Sequence, residues 1–171
     1  MERMDVMNLI AAADQAWGIG RDGGLLTHLP GDMKYFRETT RGHVVVMGRK
    51  TLESFPGGKP LKNRVNVVLT TDKQYSPEGV VVCHSMEEAL EYLKQYERED
   101  IFVIGGGTIY SQFLPCCKRA YVTRIHETFQ ADTKLENLDE NPCWTLSKQG
   151  ELQEENGISY EFCIYERIEE A

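Results

Sequence analysis

Short runs of β-branched and aliphatic residues alternate along this chain with stretches whose apolar positions recur every three to four residues. That alternation predicts an α/β fold with a largely parallel sheet. Strands are predicted at residues 6–13, 43–47, 65–70, 80–83, 101–104, 119–126, 144–152 and 160–168. The last two follow one another without an intervening helix, so they are expected to form an antiparallel hairpin at a sheet edge. Helices are predicted at 29–40, 50–55, 85–96 and 108–114. The first has Pro30 in its opening turn and Gly42 just past its end, a normal start and stop. The third opens with Ser85-Met86-Glu87-Glu88, the pattern of a capping box. Pro56 and Pro115 end the second and fourth. The expectation is a single domain over residues 1–171: a mostly parallel eight-stranded sheet flanked by four helices, with a C-terminal antiparallel edge hairpin.

Composition narrows the class. At 171 residues, 41% hydrophobic and 27% charged, the chain has the size and balance of one globular domain. No apolar run approaches the length that crosses a bilayer. The apolar stretch at residues 4–13 carries Asp5, stops at Asp14 and lacks a basic leader, so it reads as a first buried strand rather than a signal peptide. Five cysteines, two of them adjacent at Cys116 and Cys117, show no C-x-x-C pair or paired-histidine spacing. A reduced, cytoplasmic protein with no structural metal is expected.

Charge is unevenly placed. The net charge of −8 argues against bulk nucleic-acid binding. Yet Arg41, Arg49, Lys50, Lys59, Lys62, Arg64 and Lys73 lie in one segment with only Glu53 and Asp72 against them. A basic sector in an acidic chain fits a local site for an anionic small molecule, and fits equally a solvated charged face.

The ends of three predicted strands sharpen that choice. The run Val44–Met47 enters Gly48-Arg49-Lys50-Thr51 at a helix start, where free N–H groups, two cations and a hydroxyl can hold an anion. The run Val67–Leu69 enters Thr70-Thr71, and Ile101–Ile104 enters Gly105-Gly106-Gly107. Each alone is weak, because a glycine turn often only connects, and Thr108-Ile109-Tyr110 after the glycines departs from G-x-G-x-x-G. Three on one sheet carry more weight, since ligands of open α/β sheets gather at the carboxyl ends of strands. Asp32 is the carboxylate that stands out, sharing a helix face with Phe36 and flanked by Met33. An aspartate in a first helical turn also serves the macrodipole, and on the residues alone that reading leads.

Taken in order, these motifs resemble the dihydrofolate reductase family. The matching segments are Asn8-Leu9-Ile10-Ala11-Ala12, Gly18-Ile19-Gly20, Leu29-Pro30-x-Asp32-x-x-x-Phe36 and Met47-Gly48-Arg49-x-Thr51-x-Glu53-Ser54. They continue with Pro60-Leu61-x-x-Arg64-x-Asn66-Val67-Val68-Leu69-Thr70, Ile104-Gly105-Gly106-Gly107-x-Ile109-Tyr110, Thr123 and Asp132-Thr133. Their spacing covers nearly the whole chain. The resemblance implies NADPH-dependent reduction of dihydrofolate to tetrahydrofolate, serving one-carbon metabolism, by a cytoplasmic monomer that binds neither nucleic acid nor membrane. It implies that Asp32, backed by Thr123, hydrogen-bonds the pterin ring, while Ile10, Ala11 and Ile104 line its site. Met33, Phe36, Phe55 and Leu61 would pack the benzoyl group, and Arg64 would pair with the glutamate carboxylate. Ala12, Ile19 and Gly20 would contact the nicotinamide side. Arg49 and Thr71 would take the 2′-phosphate, and Gly48, Lys50, Thr51, Thr70 and Gly105–Gly107, with Thr108, Ile109 and Tyr110 behind them, would take the rest of the cofactor. A cis peptide between Gly105 and Gly106 is also implied.

One segment departs from the family pattern. After Gly23-Gly24-Leu25 the family usually has Pro-Trp, and here Leu26-Thr27 stand in those places. The indole normally orders a water near the pterin, so Thr27 becomes the specificity position to watch. Two rivals stay in view. A fold relative that reduces another pteridine or a riboflavin-pathway pyrimidine has no use for Arg64. A dinucleotide-binding module without catalysis has none for Asp32 and Thr123. Trp144 and Tyr165 read as core or sheet-face residues, and His28, His43, His84 and His126 as scattered surface groups.

Overall fold

A computed structural model describes residues 7–21 and 25–168. The predicted strand residue Val6 and the motif glycines Gly23 and Gly24 lie outside the described residues. Along the chain run β1 (Met7–Ala13), β2 (Gly18–Gly20), α1 (Pro30–Thr40), β3 (Val44–Gly48), α2 (Arg49–Glu53), β4 (Val65–Leu69), β5 (Val81–Cys83) and α3 (Met86–Leu93). Then come β6 (Ile101–Gly105), α4 (Gly107–Phe113), β7 (Cys117–Ile125), β8 (Thr133–Lys134), β9 (Trp144–Gln149), β10 (Gln153–Glu155) and β11 (Ile158–Arg167).

The main sheet has nine strands in the order β10-β11-β7-β1-β6-β3-β4-β5, with β9 also paired to β11. Pairs from β7 through β5 are parallel, and β11 runs antiparallel to β7, β9 and β10. The α/β class, the four helices and the C-terminal antiparallel edge agree with the expectation. The strand count does not. The single strand predicted at 144–152 is interrupted at Gly150, whose N–H bonds Phe162 O at 2.9 Å and where a Cβ would lie 2.7 Å from that same oxygen. β9 therefore ends at Gln149, short of the predicted end at residue 152, and β10 is an additional strand beyond the predicted range. β2 and β8 form a separate two-stranded antiparallel sheet, too short to leave an alternating pattern.

Central strands are buried on both faces, as parallel strands are. Val44 and Val46 join Leu9, Val67, Ile101 and Val103 in one core layer, beneath Ala89 and Leu93 of α3 and Ile109 and Phe113 of α4. Val45 and Met47 join Ile10, Val68, Phe102 and Ile104 in the other, with Leu52, Phe36, Phe55 and Leu61 packed on it. The capping box forms with one change of partner. Ser85 Oγ accepts from Glu88 N–H at 3.0 Å, while Glu88 Oε1 accepts from His84 N–H at 3.1 Å rather than from the cap residue.

Candidate active site

Asp32 sits in the first turn of α1, and its side chain is directed to the sheet. Asp32 Oδ1 accepts a 2.6 Å hydrogen bond from Thr123 Oγ1 on β7. Thr123 is 2% exposed, and its strand position lies between Ala12 of β1 and Phe162 of β11. Burial pushes the Asp32 carboxyl above the ordinary carboxylate range; the Thr123 hydroxyl pulls it back, and the charge of Glu155 pushes it up again. The macrodipole reading of this aspartate does not account for a half-buried carboxylate bonded to a threonine 91 residues away.

Beside Asp32 opens a narrow cleft lined by Ala12, Ile19, Leu25, Leu26, Thr27, Leu29, Met33 and Ile125. Ile10 and Ala12 share a strand face, and Ile10 leads to the layer where Ile104, Phe36, Phe55 and Leu61 meet. Ala11 packs instead into the layer on the opposite side of the sheet, so it can serve a ligand through its backbone alone. Tyr110 Oη donates to Ile10 O at 2.7 Å. Burial, and then the nearby Asp32 charge, hold that phenol well above its usual range, so it remains a donor.

Arg64 stands at the far end of α1. Its Nε donates to Thr40 Oγ1 at 2.8 Å, one terminal nitrogen to Lys62 O at 2.6 Å and the other to Arg37 O at 3.0 Å. Among the described residues these bonds use three of its five N–H groups, which leaves one on each terminal nitrogen. Burial, then the charges of Arg41 and Arg37, lower its pKa. Arg37 and the buried Thr40 are parts of this group that the sequence reading omitted.

The three strand ends do meet. Gly48 of β3 is level with Leu69 of β4, and Met47 with Gly105 of β6, which puts Gly48–Thr51, Thr70-Thr71 and Gly105–Gly107 along one edge. Gly48 and Gly106 are the cap residues of α2 and α4, and neither supplies a side-chain cap. The peptide Gly105–Gly106 is cis. A Cβ on Gly106 would meet nothing nearer than Thr51 Oγ1 at 3.8 Å, so the backbone there is open to a phosphate. The neighbouring glycines answer to packing: a Cβ at Gly105 would press on the Tyr110 ring at 3.2 Å, and one at Gly107 would reach Thr133 Cγ2 at 2.4 Å. Thr71, Lys50 and Thr108 are exposed, whereas Ile109 and Tyr110 are buried.

Arg49 is engaged on the surface. It bonds Glu53 at 2.9 Å and Asp72 at 3.1 Å and lies 4.1 Å over the Tyr75 ring. A phosphate arriving there competes with two carboxylates.

Two further carboxylates shape the site, and neither carries a sequence signal beyond its type. Asp14, fully buried, accepts from the N–H groups of Ala16, Gly18 and Phe129 at 2.9, 2.7 and 2.9 Å. It ties the β1–β2 loop to the segment after β7 and so sets Ile19 and Gly20 at the cleft; Gly20 O also accepts from Asp132 N–H. Glu155 of β10 accepts from Gly31 N–H at the start of α1. A separate cavity of about 320 Å³ lies over β7, β11 and β9, where Arg124 pairs with Asp139 and His126 with Glu161. Among the described residues no acidic, histidine or cysteine cluster has metal-binding geometry, and no helix is long and apolar enough to cross a membrane.

A parallel α/β sheet with an open phosphate-sized edge, beside an apolar cleft holding one raised carboxylate, defines a nucleotide-dependent enzyme of small molecules. Comparison with known proteins makes the class specific. The dihydrofolate reductase family model matches residues 6–167. Dihydrofolate reductase of Bacillus subtilis is 39% identical over 164 residues, covering 95% of both chains. That of Staphylococcus haemolyticus is 37% identical over 95% of this chain and 96% of its own. The solved structure of dihydrofolate reductase from Enterococcus faecalis, complexed with NADP(H) and RAB-propyl, superposes with a TM-score of 0.84 at 38% identity, covering 96% and 97% of the two chains. This chain belongs to the dihydrofolate reductase family.

Proposed function

We propose that the chain reduces 7,8-dihydrofolate to 5,6,7,8-tetrahydrofolate with NADPH, acting as one domain and as a monomer in the cytoplasm. The observation that carries this reading is the Thr123–Asp32 hydrogen bond inside a cleft walled by apolar side chains. Asp32 holds the amino group and N3 of the pterin, and Thr123 fixes the carboxylate that does so. The negative charge in a poorly solvated cleft favours the protonated form of the ring, which is the acceptor of hydride at C6. Tyr110 pins the Ile10 carbonyl at the cleft wall. Phe36, Phe55 and Leu61 enclose the benzoyl group, and the two free N–H groups of Arg64 take the glutamate carboxylate, with Arg37 and Arg41 adding positive potential.

The edge formed by Gly48–Thr51, Thr70-Thr71 and Gly106 fits the pyrophosphate and ribose of a dinucleotide, with Arg49 placed for a 2′-phosphate. Bound NADPH supplies the hydride. The chain's own contribution is to hold and align the reactants, exclude water and tune one proton. Arg64 speaks against substrates that lack a glutamate tail. Half-buried Asp32, bonded to buried Thr123, speaks against a module without catalysis. The test is turnover of NADPH by the purified chain with dihydrofolate, beside a pterin lacking the glutamate tail. Efficient turnover of dihydrofolate alone supports the reading, and equal turnover of both pterins contradicts the role of Arg64.

A further inference from the structure

We propose that Glu155, carried by the C-terminal hairpin, is a positioning residue for the reaction: it anchors the start of α1 and sets a second negative charge behind Asp32, so that the cleft favours a protonated ring at neutral pH. The inference rests on the reading that dihydrofolate is reduced beside Asp32.

The start of α1 is unusual in what it lacks. Its cap residue is Leu29, which has no side-chain oxygen to offer, and Pro30 has no N–H. The first free donor is Gly31 N–H, immediately before Asp32, and it points at Glu155 Oε1 at 2.9 Å across 124 residues of sequence. Tyr160 Oη, on the neighbouring strand β11, donates to the same oxygen at 2.8 Å. Tyr160 is itself 2% exposed. The approach is built into the backbone, because a Cβ on residue 31 would lie 2.5 Å from Tyr160 Oη and 3.1 Å from Glu155 Oε1. Glycine inside a helix is otherwise unfavourable; here it lets the hairpin dock onto the helix end.

An asparagine or serine at the cap would satisfy the same donor locally. What a distant carboxylate adds is charge. The groups acting on Asp32 are the Thr123 hydroxyl from β7 and the Glu155 charge from β10, besides burial. Three phenols feel the Asp32 charge in turn: Tyr35 of α1, Tyr110 of α4 and Tyr160 of β11. All three are raised, Tyr160 to about 12, so they stay neutral donors through the working range. No cation contributes at Asp32 among the described residues. The sign is therefore definite. A second negative charge disfavours an ionised, proton-free site, whichever of carboxylate and ring holds the proton. Removing it must move the alkaline fall of the reaction to lower pH.

The experiment is single-turnover hydride transfer against pH, in the cold, for wild type, Glu155→Gln, Glu155→Ala and Tyr160→Phe, with a melting curve for each. Glu155→Gln keeps an oxygen for both donors and loses the charge. Its midpoint is expected to move acidward by about 0.5 unit, with a rate about threefold lower at neutral pH and an unchanged acid plateau. Glu155→Ala should show the same shift with a lower melting temperature, and it serves in place of Glu155→Gln should the latter fail to fold. Tyr160→Phe keeps the charge and should leave the midpoint in place. Neutral variants with the wild-type midpoint would overturn the proposal while leaving the reductase reading intact, and so would a Tyr160→Phe shift as large as theirs. Wild type that does not turn over dihydrofolate would remove the reductase reading and this inference with it.

Discussion

Replacing Thr123 by valine tests the buried pair at the centre of the site. Valine has nearly the same shape and substitutes a methyl for the hydroxyl, so a 2%-exposed position remains filled and no cavity forms. What is lost is one 2.6 Å hydrogen bond to a carboxylate that burial already disfavours. A hydrogen bond to a charged group contributes roughly 1.5–3 kcal/mol, and one to a neutral group about 0.5–1.5 kcal/mol. The Asp32 carboxyl is raised in the folded state, and without the opposing Thr123 bond it rises further. A raised group favours the folded state below its unfolded pKa and loses that favour as pH climbs through its folded pKa. The variant should therefore trail wild type most at neutral pH, by about 2 kcal/mol, or about 4–8 °C in a domain of this size. The gap should narrow as the pH falls and Asp32 takes up its proton. Melting curves for both proteins from neutral pH down to the ordinary aspartate range make the comparison. A gap that stays constant with pH would refute the claim that Thr123 acts on an ionised Asp32.

The remaining predictions concern the two ligand ends and the loop. Arg64→Met should raise KM for dihydrofolate by roughly 30-fold, about 2 kcal/mol for a charge-assisted fork, with kcat little changed; a lowered kcat at unchanged KM would contradict a role in tail binding. NADPH should bind at least about tenfold tighter than NADH. Asp72→Asn should widen that preference by removing one of the two carboxylates that compete for Arg49, and equal titration of both cofactors would refute the assignment. Thr27→Trp should speed hydride transfer at neutral pH by ordering water in the cleft, with less effect in acid; a stable variant with an unchanged pH profile would defeat the argument.

Much of the framework was legible because it is periodic. Val44–Met47 and Ile101–Ile104 are unbroken apolar runs, as strands covered on both faces must be, and prolines and glycines mark the helix ends. Juxtaposition of the strand ends followed from parallel topology, since all three close a strand at the same edge. The departures have one physical origin: contacts between distant residues leave no periodic trace. Asp32 and Thr123 were linked by resemblance, not by spacing. Asp14 read as the end of an apolar run, although its carboxylate gathers three N–H groups from two loops. Glu155 lies between the two predicted C-terminal strands, and nothing in its spacing points to Gly31, 124 residues away. A signal did exist at Gly150, an isolated glycine inside a strand pattern, just where β9 stops short of its predicted end. The glycine triplet was legible as a site, but not the division of labour within it. Only the built neighbours separate Gly106, open to a ligand, from Gly105 and Gly107, held by packing.

The central claim is that Asp32 serves the chemistry through its charge. Its most direct test is NADPH oxidation with dihydrofolate, followed against pH for wild type and Asp32→Asn. Asparagine keeps the shape and can still accept from Thr123, but it cannot favour a protonated ring. The variant should lose at least about 100-fold in rate at neutral pH, the scale of general acid–base assistance, and regain much of it in acid, where the ring arrives protonated. A variant as active as wild type at neutral pH, or equally impaired at every pH, would contradict the account.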